Sequence, residues 1–293
     1  MKIGIFGSNY QSDKFNTIKR VFNHLRELGV EVWIETEFFE YLSERFEYQP
    51  YFSGLIQSDD FQCDVILSLG GDGTFLRTAA WVGKKGIPIL GINTGRLGFL
   101  ADVNSNDIED TLSNVFKNYY QTEDRSLLYL QTDAETTDEY PYALNEIAIL
   151  KRDTSSMITI RVYLNNEFLT NYLADGLLVA TPTGSTAYSM SVNGPIIIPQ
   201  AKNIVLSPVA PHSLNVRPLV IPEDYVLSLE VDSRDSNFLV ALDGRSQVVS
   251  SGTKFTITKA DFTTKIVKRF NHTFYQTLRE KLNWGADARE IST

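Results

Sequence analysis

A cluster of glycines around one carboxylate constrains the fold of this chain more than any other feature. Gly70, Gly71 and Gly73 surround Asp72, after the apolar residues 65–69 and before the helix-like residues 74–82. An apolar run of this length predicts a buried strand, so the glycines occupy a strand-to-helix turn. Glycine allows positive φ and close backbone approach, and the first amides of a helix favour anions. The turn therefore predicts a phosphate site.

Asp72 adds a carboxylate to this predicted phosphate site. A carboxylate repels phosphate unless it handles a proton or holds a metal ion, so the combination indicates chemistry as well as binding. Arg77, in the first helical turn, opposes the helix dipole by roughly a few tenths of a kcal/mol, a cost that disappears if its side chain reaches a bound anion. The alternative is a glycine-rich turn in which Asp72 only caps the helix.

The charge balance narrows the possible partners. The chain of 293 residues carries a formal net charge of -9 and has a pI near 4.9. This acidity argues against nucleic acid and anionic membranes as main partners. The single cysteine, Cys63, excludes an internal disulfide, and the sequence shows neither a targeting leader nor a run as long as a membrane span. We expect a cytoplasmic protein.

Residues 1–100 alternate between strand and helix patterns, which predicts an α/β domain with a parallel sheet. A helix is indicated by five apolar residues on one face, namely Ile18, Val21, Phe22, Leu25 and Leu28. Residues 35–62 are rich in Glu, Tyr and Phe without a clear period, so we expect an irregular insertion there. The predicted strands are residues 3–6, 31–34, 65–69 and 88–92.

Residues 101–270 have the pattern of a mainly β domain. After a helix at residues 108–116, short β-branched runs follow at hairpin spacing, and residues 158–164 and 168–173 are expected to pair around Asn165-Asn166. Residues 274–282 form a last amphipathic helix, which we expect to pack on the first domain, so that residues 271–293 join it. Further strands are predicted at residues 204–206, 226–231, 238–242, 254–258 and 265–269.

A second glycine-rich loop, residues 93–100, begins at Asn93 and follows the 88–92 strand. In a parallel sheet this loop leaves the same carboxyl edge as residues 70–74, so both loops are expected to face one crevice. The alternative is a plain interdomain linker. Asn145 and Glu146 interrupt another apolar strand, where burial without partners costs several kcal/mol. Either this strand end is exposed, or the pair binds a polar ligand such as ribose hydroxyls.

Residues 174–191 form a short apolar strand that ends in a hydroxyl-rich glycine loop. Asp175-Gly176 at its start predicts a hairpin turn. Hydroxyl groups in the loop would cap a helix running through Tyr188, whose ring offers a stacking face. Ser185 lacks a GxSxG context and a nearby histidine, so it is not a predicted nucleophile.

The three histidines show no metal-ligand spacing with Cys63. Asp243-Gly244-Arg245 predicts a hairpin turn, and Gln247 lies beside it in the sequence.

The chain resembles the NAD kinases. The resemblance rests on GGDGTFLR at residues 70–77, NTGRLGFL at 93–100, Asn145-Glu146, DGLLVATPTGSTAYSMSVNGPI at 175–196, and Pro-His-Ser-Leu and Arg-Pro-Leu within residues 211–219. These segments follow the order of the family. The first motif alone marks a wider kinase superfamily, whereas TPTGSTAYS is specific to NAD kinases.

The resemblance implies transfer of the γ-phosphoryl group of ATP, as its magnesium complex, to the 2′-hydroxyl of the adenosine ribose of NAD, giving NADP and ADP. It makes Asp72 the general base, with Gly71 and Gly73 at the phosphates and Arg77 neutralising charge. It also implies a homodimer or homotetramer, in which Asp175 reaches a site formed with a neighbouring subunit. The other residues implied to bind the substrates are Asn93, Asn145, Glu146, Thr186, Ala187, Tyr188, Ser189, Met190, Ser191 and Gln247.

Two alternatives stay open. A lipid kinase of the same superfamily would phosphorylate diacylglycerol or a sphingoid base, although the acidic charge balance speaks against a membrane-binding face. A non-catalytic NAD or NADP sensor would keep the fold without turnover, but a binding site gains little from the Asp72 carboxylate beside phosphates. The chain has no GxxxxGK motif, so no Walker-type cradle for ATP is predicted, and the sequence does not identify metal ligands.

Overall fold

A computed structural model of the chain describes residues 1–9, 14–95, 98–133, 140–152, 156–270 and 272–285. The chain divides into two compact units. The first unit combines Met1–Asp124 with Thr264–Thr293, and the second is Arg125–Thr263. The sequence-based domain limits, 1–100 with 271–293 and 101–270, remain a prediction.

The strands and helices are numbered in chain order. The strands are β1 (Lys2–Gly7), β2 (Glu31–Glu35), β3 (Gly54–Ile56), β4 (Val65–Gly70), β5 (Ile89–Asn93), β6 (Gln121–Thr132), β7 (Tyr142–Ala143), β8 (Glu146–Lys151), β9 (Ile158–Leu164), β10 (Glu167–Ala174), β11 (Gly176–Ala180), β12 (Asn203–Val209), β13 (Leu219–Pro222), β14 (Leu227–Asp232), β15 (Asn237–Leu242), β16 (Arg245–Ser250) and β17 (Lys254–Lys268). The helices are α1 (Phe15–Glu27), α2 (Thr36–Phe46), α3 (Asp72–Val82), α4 (Ile108–Phe116), α5 (Tyr188–Ser191) and α6 (Phe274–Leu282).

The first unit is built on a parallel sheet. Its strands lie in the order β5, β4, β1, β2, β3, and each neighbouring pair is parallel. The last residues of β17 run parallel to β5, with Ile266 opposite Ile89. Every residue of β4 is buried, as expected for a strand covered on both faces. The predicted α/β domain with a parallel sheet is confirmed.

The irregular insertion expected at residues 35–62 is wrong, because this segment contains α2 and β3. Phe38 and Leu42, one helical turn apart, are fully buried. Phe46, at the end of α2, stacks on Phe15 with 4.1 Å between ring centroids. Only two positions of this helix are buried, so its apolar stripe is too short to stand out among the surrounding Glu and aromatic residues.

The second unit contains two antiparallel arrays, and the predicted mainly β domain is confirmed. One array has the order β13, β12, β11, β8, β15, β16, and the other contains β10, β9, β14 and the first residues of β17. A single hydrophobic cluster takes residues from both arrays, among them Ile147, Val179, Ile160 and Leu229. The predicted β9–β10 hairpin is present, with left-handed φ angles of 50° at Asn165 and 69° at Asn166.

Three local expectations are corrected. The strands predicted at residues 254–258 and 265–269 are one strand, β17. Asp175-Gly176 is not a hairpin turn, because β10 and β11 belong to different arrays. The helix expected through Tyr188 is interrupted at Ala187, whose φ of -104° and ψ of -129° separate a 3-10 helix, Thr183–Thr186, from α5.

The last helix, α6, belongs to the first unit, as predicted. Its Phe274 ring lies 6.1 Å from the ring of Phe99. Thr273 and Gln276 form a capping box that starts the helix. Among the helices formed by described residues, none has the length and apolar character required to cross a membrane.

Candidate functional site

Asp72 joins the two glycine-rich loops of the first unit. It is the first residue of α3, directly after the turn that ends β4. Its Oδ1 accepts hydrogen bonds from the amides of Leu100 and Ala101 at 3.0 and 3.1 Å, and its Oδ2 accepts one from Phe99 at 2.9 Å. Because β4 and β5 are parallel, both loops leave the same edge of the sheet, as predicted.

Close approach, rather than positive φ, explains the glycines around Asp72. Gly70, Gly71 and Gly73 do not have positive φ angles. A Cβ on Gly70 would overlap the Thr74 side chain, and one on Gly98 would overlap the Asp72 carboxylate. Gly71 and Gly73 have open space where a Cβ would lie. A ligand can therefore approach the backbone at Gly71 and Gly73 closely.

Lys281, on α6, is a second neighbour of Asp72. Its Nζ lies 3.4 Å from Asp72 Oδ2 and 4.4 Å from the centre of the Phe99 ring. At this distance the contact with Asp72 is long for a charge-assisted hydrogen bond. Lys281 therefore places a positive charge beside the Asp72 carboxylate.

Arg77 is bound to a buried carboxylate. Its guanidinium forms a two-pronged ion pair with Glu35, at 2.5 and 3.0 Å, and donates to the carbonyl of Gly7 at 2.6 Å. Glu35 is 1% exposed, and burial raises its pKa while the Arg77 charge lowers it. Arg77 also contacts Glu37 at 3.4 Å. The pair ties α3 to the end of β2.

A cavity of about 470 Å³ opens beside this ion pair. Because Gly71, Gly73 and Thr74 line it at the start of α3, the cavity lies where helix-terminal amides favour an anion. The remaining lining residues are Gly7, Ser8, Asn9, Glu37 and Arg77.

In the second unit, Glu146 is a buried carboxyl group with an incomplete set of hydrogen bonds. It is 9% exposed, and its Oε2 has no hydrogen-bond partner among the described residues. Burial and the nearby Asp243 charge raise the pKa of Glu146 to about 8, while the amide of Tyr188 opposes this shift by donating to the carboxyl. Asn145, beside it, is also buried. Of the two interpretations of this pair, the exposed strand end is therefore wrong.

Hydroxyl groups of the hydroxyl-rich loop bind both its own backbone and a neighbouring strand. Thr186 Oγ1 donates to the Thr183 carbonyl at 3.3 Å, and Ser189 Oγ lies 2.9 Å from Ser207 Oγ. Tyr188 is 39% exposed and Ser191 is exposed, so both can contact a ligand, whereas Ser189 is fully buried. Ala187 and Met190 are partly buried.

The remaining predicted site residues occupy separate positions. Asp175 forms an ion pair with Lys151 at 2.7 Å. Gln247 lies on β16, opposite Val240. Asn93 is a buried residue of the first unit, and its Oδ1 accepts from the Gly95 amide at 2.5 Å. Residues 96 and 97 of the second glycine loop lie outside the described residues.

The described residues do not form a metal cage. They contain no group of three or more His, Cys, Asp or Glu side chains placed to hold an ion. The Asp72 oxygens already accept three amide hydrogen bonds.

Three residues of these sites were not identified from the sequence. Glu35 was missed because its partner Arg77 is 42 positions away, and Lys281 because it reaches Asp72 from 209 positions away. Asp243 was interpreted only as part of a hairpin turn, although its carboxylate also binds the backbone of Asn145 and Glu146. An aspartate beside a positive-φ glycine suits both roles, so the spacing alone does not distinguish them.

Comparison with known proteins gives the same family along most of the chain. The model of the ATP-NAD kinase N-terminal domain matches residues 3–120, and that of the ATP-NAD kinase C-terminal domain matches residues 144–269. An NAD kinase from Bacteroides fragilis is 53% identical over 99% of this chain and 100% of its own length. An NAD kinase from Porphyromonas gingivalis is 46% identical over 98% of this chain and 99% of its own length.

Solved structures share the fold. An NAD kinase from Archaeoglobus fulgidus in complex with ATP matches with a TM-score of 0.77 and 27% identity, over 97% of this chain and 99% of that one. Yeast NADH kinase complexed with NADH matches with a TM-score of 0.86 and 24% identity, over 98% of this chain and 89% of that one.

Proposed function

This chain belongs to the NAD kinase family, and we propose that it transfers the γ-phosphoryl group of ATP to the 2′-hydroxyl of the adenosine ribose of NAD, giving NADP and ADP. The family models and the curated relatives support an ATP-dependent kinase acting on NAD. The observation that carries the proposed chemistry is the position of Asp72, at the start of α3 and beside the open backbone of Gly71 and Gly73.

Asp72 is the proposed general base. The 2′-hydroxyl is proposed to donate to Asp72 Oδ2, which accepts one hydrogen bond, from the Phe99 amide, and has a longer contact with Lys281. As the proton moves to Asp72, the 2′ oxygen bonds to the γ-phosphorus, the bond from that phosphorus to the bridging oxygen breaks, and ADP leaves with the electron pair. General base catalysis of this kind contributes roughly two to four powers of ten to the rate. The amides of Phe99, Leu100 and Ala101 keep the carboxylate in place.

The phosphates are proposed to lie against Gly71, Gly73 and the first amides of α3, where the helix dipole stabilises negative charge. Arg77 lines the same cavity. Because its charge is shared with Glu35, we assign it to shaping this cavity and only in part to neutralising phosphate. A divalent cation, most simply Mg²⁺ bound to ATP, supplies the remaining charge neutralisation.

The other binding residues are proposed to contact NAD. Asn145 and Glu146 offer buried polar groups for hydroxyls or base edges, and Tyr188 offers an exposed ring for stacking. Ser189 is assigned from the resemblance alone, because its buried hydroxyl is bonded to Ser207 and its carbonyl accepts from the amides of Val192 and Gly194. The remaining residues assigned to substrate binding are Asn93, Asp175, Thr186, Ala187, Met190, Ser191 and Gln247.

Assembly and location are proposed from the resemblance. We propose a homodimer or homotetramer in which Asp175 lies near a neighbouring subunit. Its ion pair with Lys151 leaves the side chain partly exposed, at 32%, which is compatible with such a contact. We also propose a cytoplasmic location, in keeping with the single cysteine.

The test mixes the purified protein with NAD and Mg-ATP and follows NADP with an NADP-specific dehydrogenase. The expected result is NADP and ADP in equal amounts, with the new phosphate at the 2′ position by phosphorus NMR. A folded protein that makes no NADP would contradict the proposal. Phosphorylation of diacylglycerol or a sphingoid base would then indicate a lipid kinase, and NAD binding without turnover would indicate a sensor.

A further inference from the structure

Asp243 binds three consecutive backbone amides. Its Oδ2 accepts from Leu144 at 2.6 Å, and its Oδ1 accepts from Asn145 at 2.7 Å and from Glu146 at 3.1 Å. The amide of Asp243 in turn donates to the Glu146 carbonyl at 3.1 Å. Burial raises the pKa of Asp243, and the three amide hydrogen bonds and the Arg245 charge oppose that shift. One side chain therefore determines the backbone path at the two residues that we propose contact NAD.

The carbonyl groups of this segment are bound from the opposite side. Thr181 Oγ1 donates to the Leu144 carbonyl at 2.6 Å, and the Thr181 amide donates to the Asn145 carbonyl at 2.9 Å. A Cβ on Gly184 would overlap the Asn145 carbonyl, so the loop that follows Thr181 also packs directly on the segment. Residues 144–146 are thus fixed between the Asp243 turn and the hydroxyl-rich loop, with their backbone groups paired.

The turn that carries Asp243 is itself anchored. Asp243 and Gly244 have φ angles of 50° and 85°, as a two-residue hairpin turn between β15 and β16 requires. Arg245 donates to the carbonyls of Tyr140 and Tyr142 at 3.2 and 2.7 Å. These contacts hold the turn against the chain just before residue 144. A rigid turn suits a residue whose role is positioning.

The groups facing Glu146 differ in charge and hydrogen-bonding character. The β15–β16 turn contributes the Asp243 carboxylate, whose negative charge raises the pKa of Glu146. The positive charge of Arg245 lowers the pKa of Asp243. From α5 comes the Tyr188 amide, and from β11 the neutral Ala180 lies opposite Glu146 in the sheet. Among the described side chains, Asp243 is the charged group that changes the pKa of Glu146. Burial raises the pKa of both carboxyls, and Asp243 has three amide donors and the Arg245 charge opposing this shift where Glu146 has one amide, so the geometry favours the proton on Glu146.

We propose that Asp243 is a positioning residue for the NAD site: it fixes the backbone of residues 144–146 and holds Glu146 as a neutral carboxyl that donates a hydrogen bond to an acceptor atom of the ligand. The inference rests on the proposed function, since NAD is the ligand assigned to Glu146. The free Oε2 of Glu146, buried and without a partner among the described residues, is the atom that carries the donated proton.

Asp243→Asn is the sharpest variant. Asparagine tolerates the left-handed φ of this turn, so the hairpin is retained. The side-chain NH₂ of asparagine is a donor, so it cannot accept the backbone hydrogen bond that an Asp243 oxygen accepts. Because asparagine is neutral, it also no longer raises the pKa of Glu146. We expect the Kd for NAD to rise by about tenfold at neutral pH, because the backbone of residues 144–146 loses its anchor and the Glu146 carboxyl is protonated to a smaller extent.

The experiment measures NAD affinity by calorimetry from pH 6 to 9. The wild-type affinity is expected to fall as pH rises through about 8, where Glu146 loses its proton. Asp243→Asn should bind more weakly and lose affinity at a lower pH. Glu146→Gln keeps a donor and removes the titration, so its affinity should not vary across this range. Asp224→Asn, at an exposed aspartate of the same unit, is the matched control and should behave as wild type.

An infrared measurement on the ligand-free protein does not depend on folding of the Asp243 variant. The carbonyl band of a protonated carboxyl, identified by its loss in Glu146→Gln, should be present at pH 7 and disappear above about pH 8. Absence of this band at pH 7, or an Asp243→Asn protein with wild-type affinity and pH dependence, would overturn the inference. Loss of NADP formation with this binding behaviour retained would contradict only the proposed kinase activity.

Discussion

At the scale of single residues, three carboxyl groups have different roles because their surroundings differ. Asp72 accepts three amide hydrogen bonds and lies beside open backbone. Glu35 is buried against Arg77, and Glu146 is buried with one oxygen unpartnered among the described residues. The sequence identified Asp72 and Glu146 through motifs and polarity. It did not identify Glu35, because an ion pair between distant residues leaves no local pattern.

Replacing Arg77 should destabilise the protein through Glu35. Arg77→Met leaves a carboxyl that is 1% exposed without its guanidinium partner. Breaking a buried pair from one side costs about 3 kcal/mol, part of which the raised pKa of Glu35 recovers by protonation. Chemical denaturation measures the loss. The double variant Arg77→Met, Glu35→Gln should recover part of the lost free energy of unfolding. A loss below about 1 kcal/mol in Arg77→Met alone would contradict this explanation.

Glu146 should make stability depend on pH. Its folded-state pKa of about 8 lies above the ordinary value of 4.5 for a glutamate, so between these pH values the folded protein keeps a proton that the unfolded chain has lost. The contribution of Glu146 to the free energy of unfolding therefore decreases as the pH rises from about 4.5 to about 8. Glu146→Gln should raise the thermal midpoint over wild type at pH 8 and by much less at pH 5. An equal difference at both pH values would contradict the raised pKa.

At the scale of elements, strong periodic patterns located helices well. The bounds predicted for α4 and α6 agree with the structure, since each places its apolar residues on one clear face. α2 was missed because it buries only Phe38 and Leu42. The break at Ala187 was missed for a different reason: Gly184 approaches the Asn145 carbonyl closely, and such a tertiary contact has no sequence pattern.

The α6 helix should influence catalysis through Lys281. Lys281→Met removes the cation 3.4 Å from Asp72 Oδ2, while the exposed pair contributes less than about 1 kcal/mol to stability. We expect a thermal midpoint close to wild type and a lower kcat. Arg279→Met, at an exposed residue of the same helix, is the control. Equal kcat values in the two variants would exclude a role for Lys281.

At the scale of the whole molecule, the sequence predicted an α/β part, a mainly β part and a last helix that joins the first, and the fold confirms all three. Alternation of strand and helix distinguishes these classes because period and connection length differ between them. The continuity of β17 was not predictable, because residues 259–264 of that strand interrupt the apolar pattern with charged and polar residues.

Removal of divalent cations should stop the reaction without unfolding the chain. The described residues contain no metal cage, so we expect EDTA to leave the thermal midpoint unchanged and to abolish NADP formation. Excess Mg²⁺ should restore the rate. A large fall in the thermal midpoint on chelation would indicate a structural metal instead, and full activity in EDTA would exclude a cation requirement.

The central claim is that Asp72 takes the proton from the ribose hydroxyl, and Asp72→Asn tests it most directly. Asparagine keeps the size of the side chain but does not accept this proton. Single-turnover NADP formation should fall by at least about 100-fold, while the Kd for NAD changes by no more than a few-fold. A folded Asp72→Asn protein that forms NADP at the wild-type rate would contradict the claim.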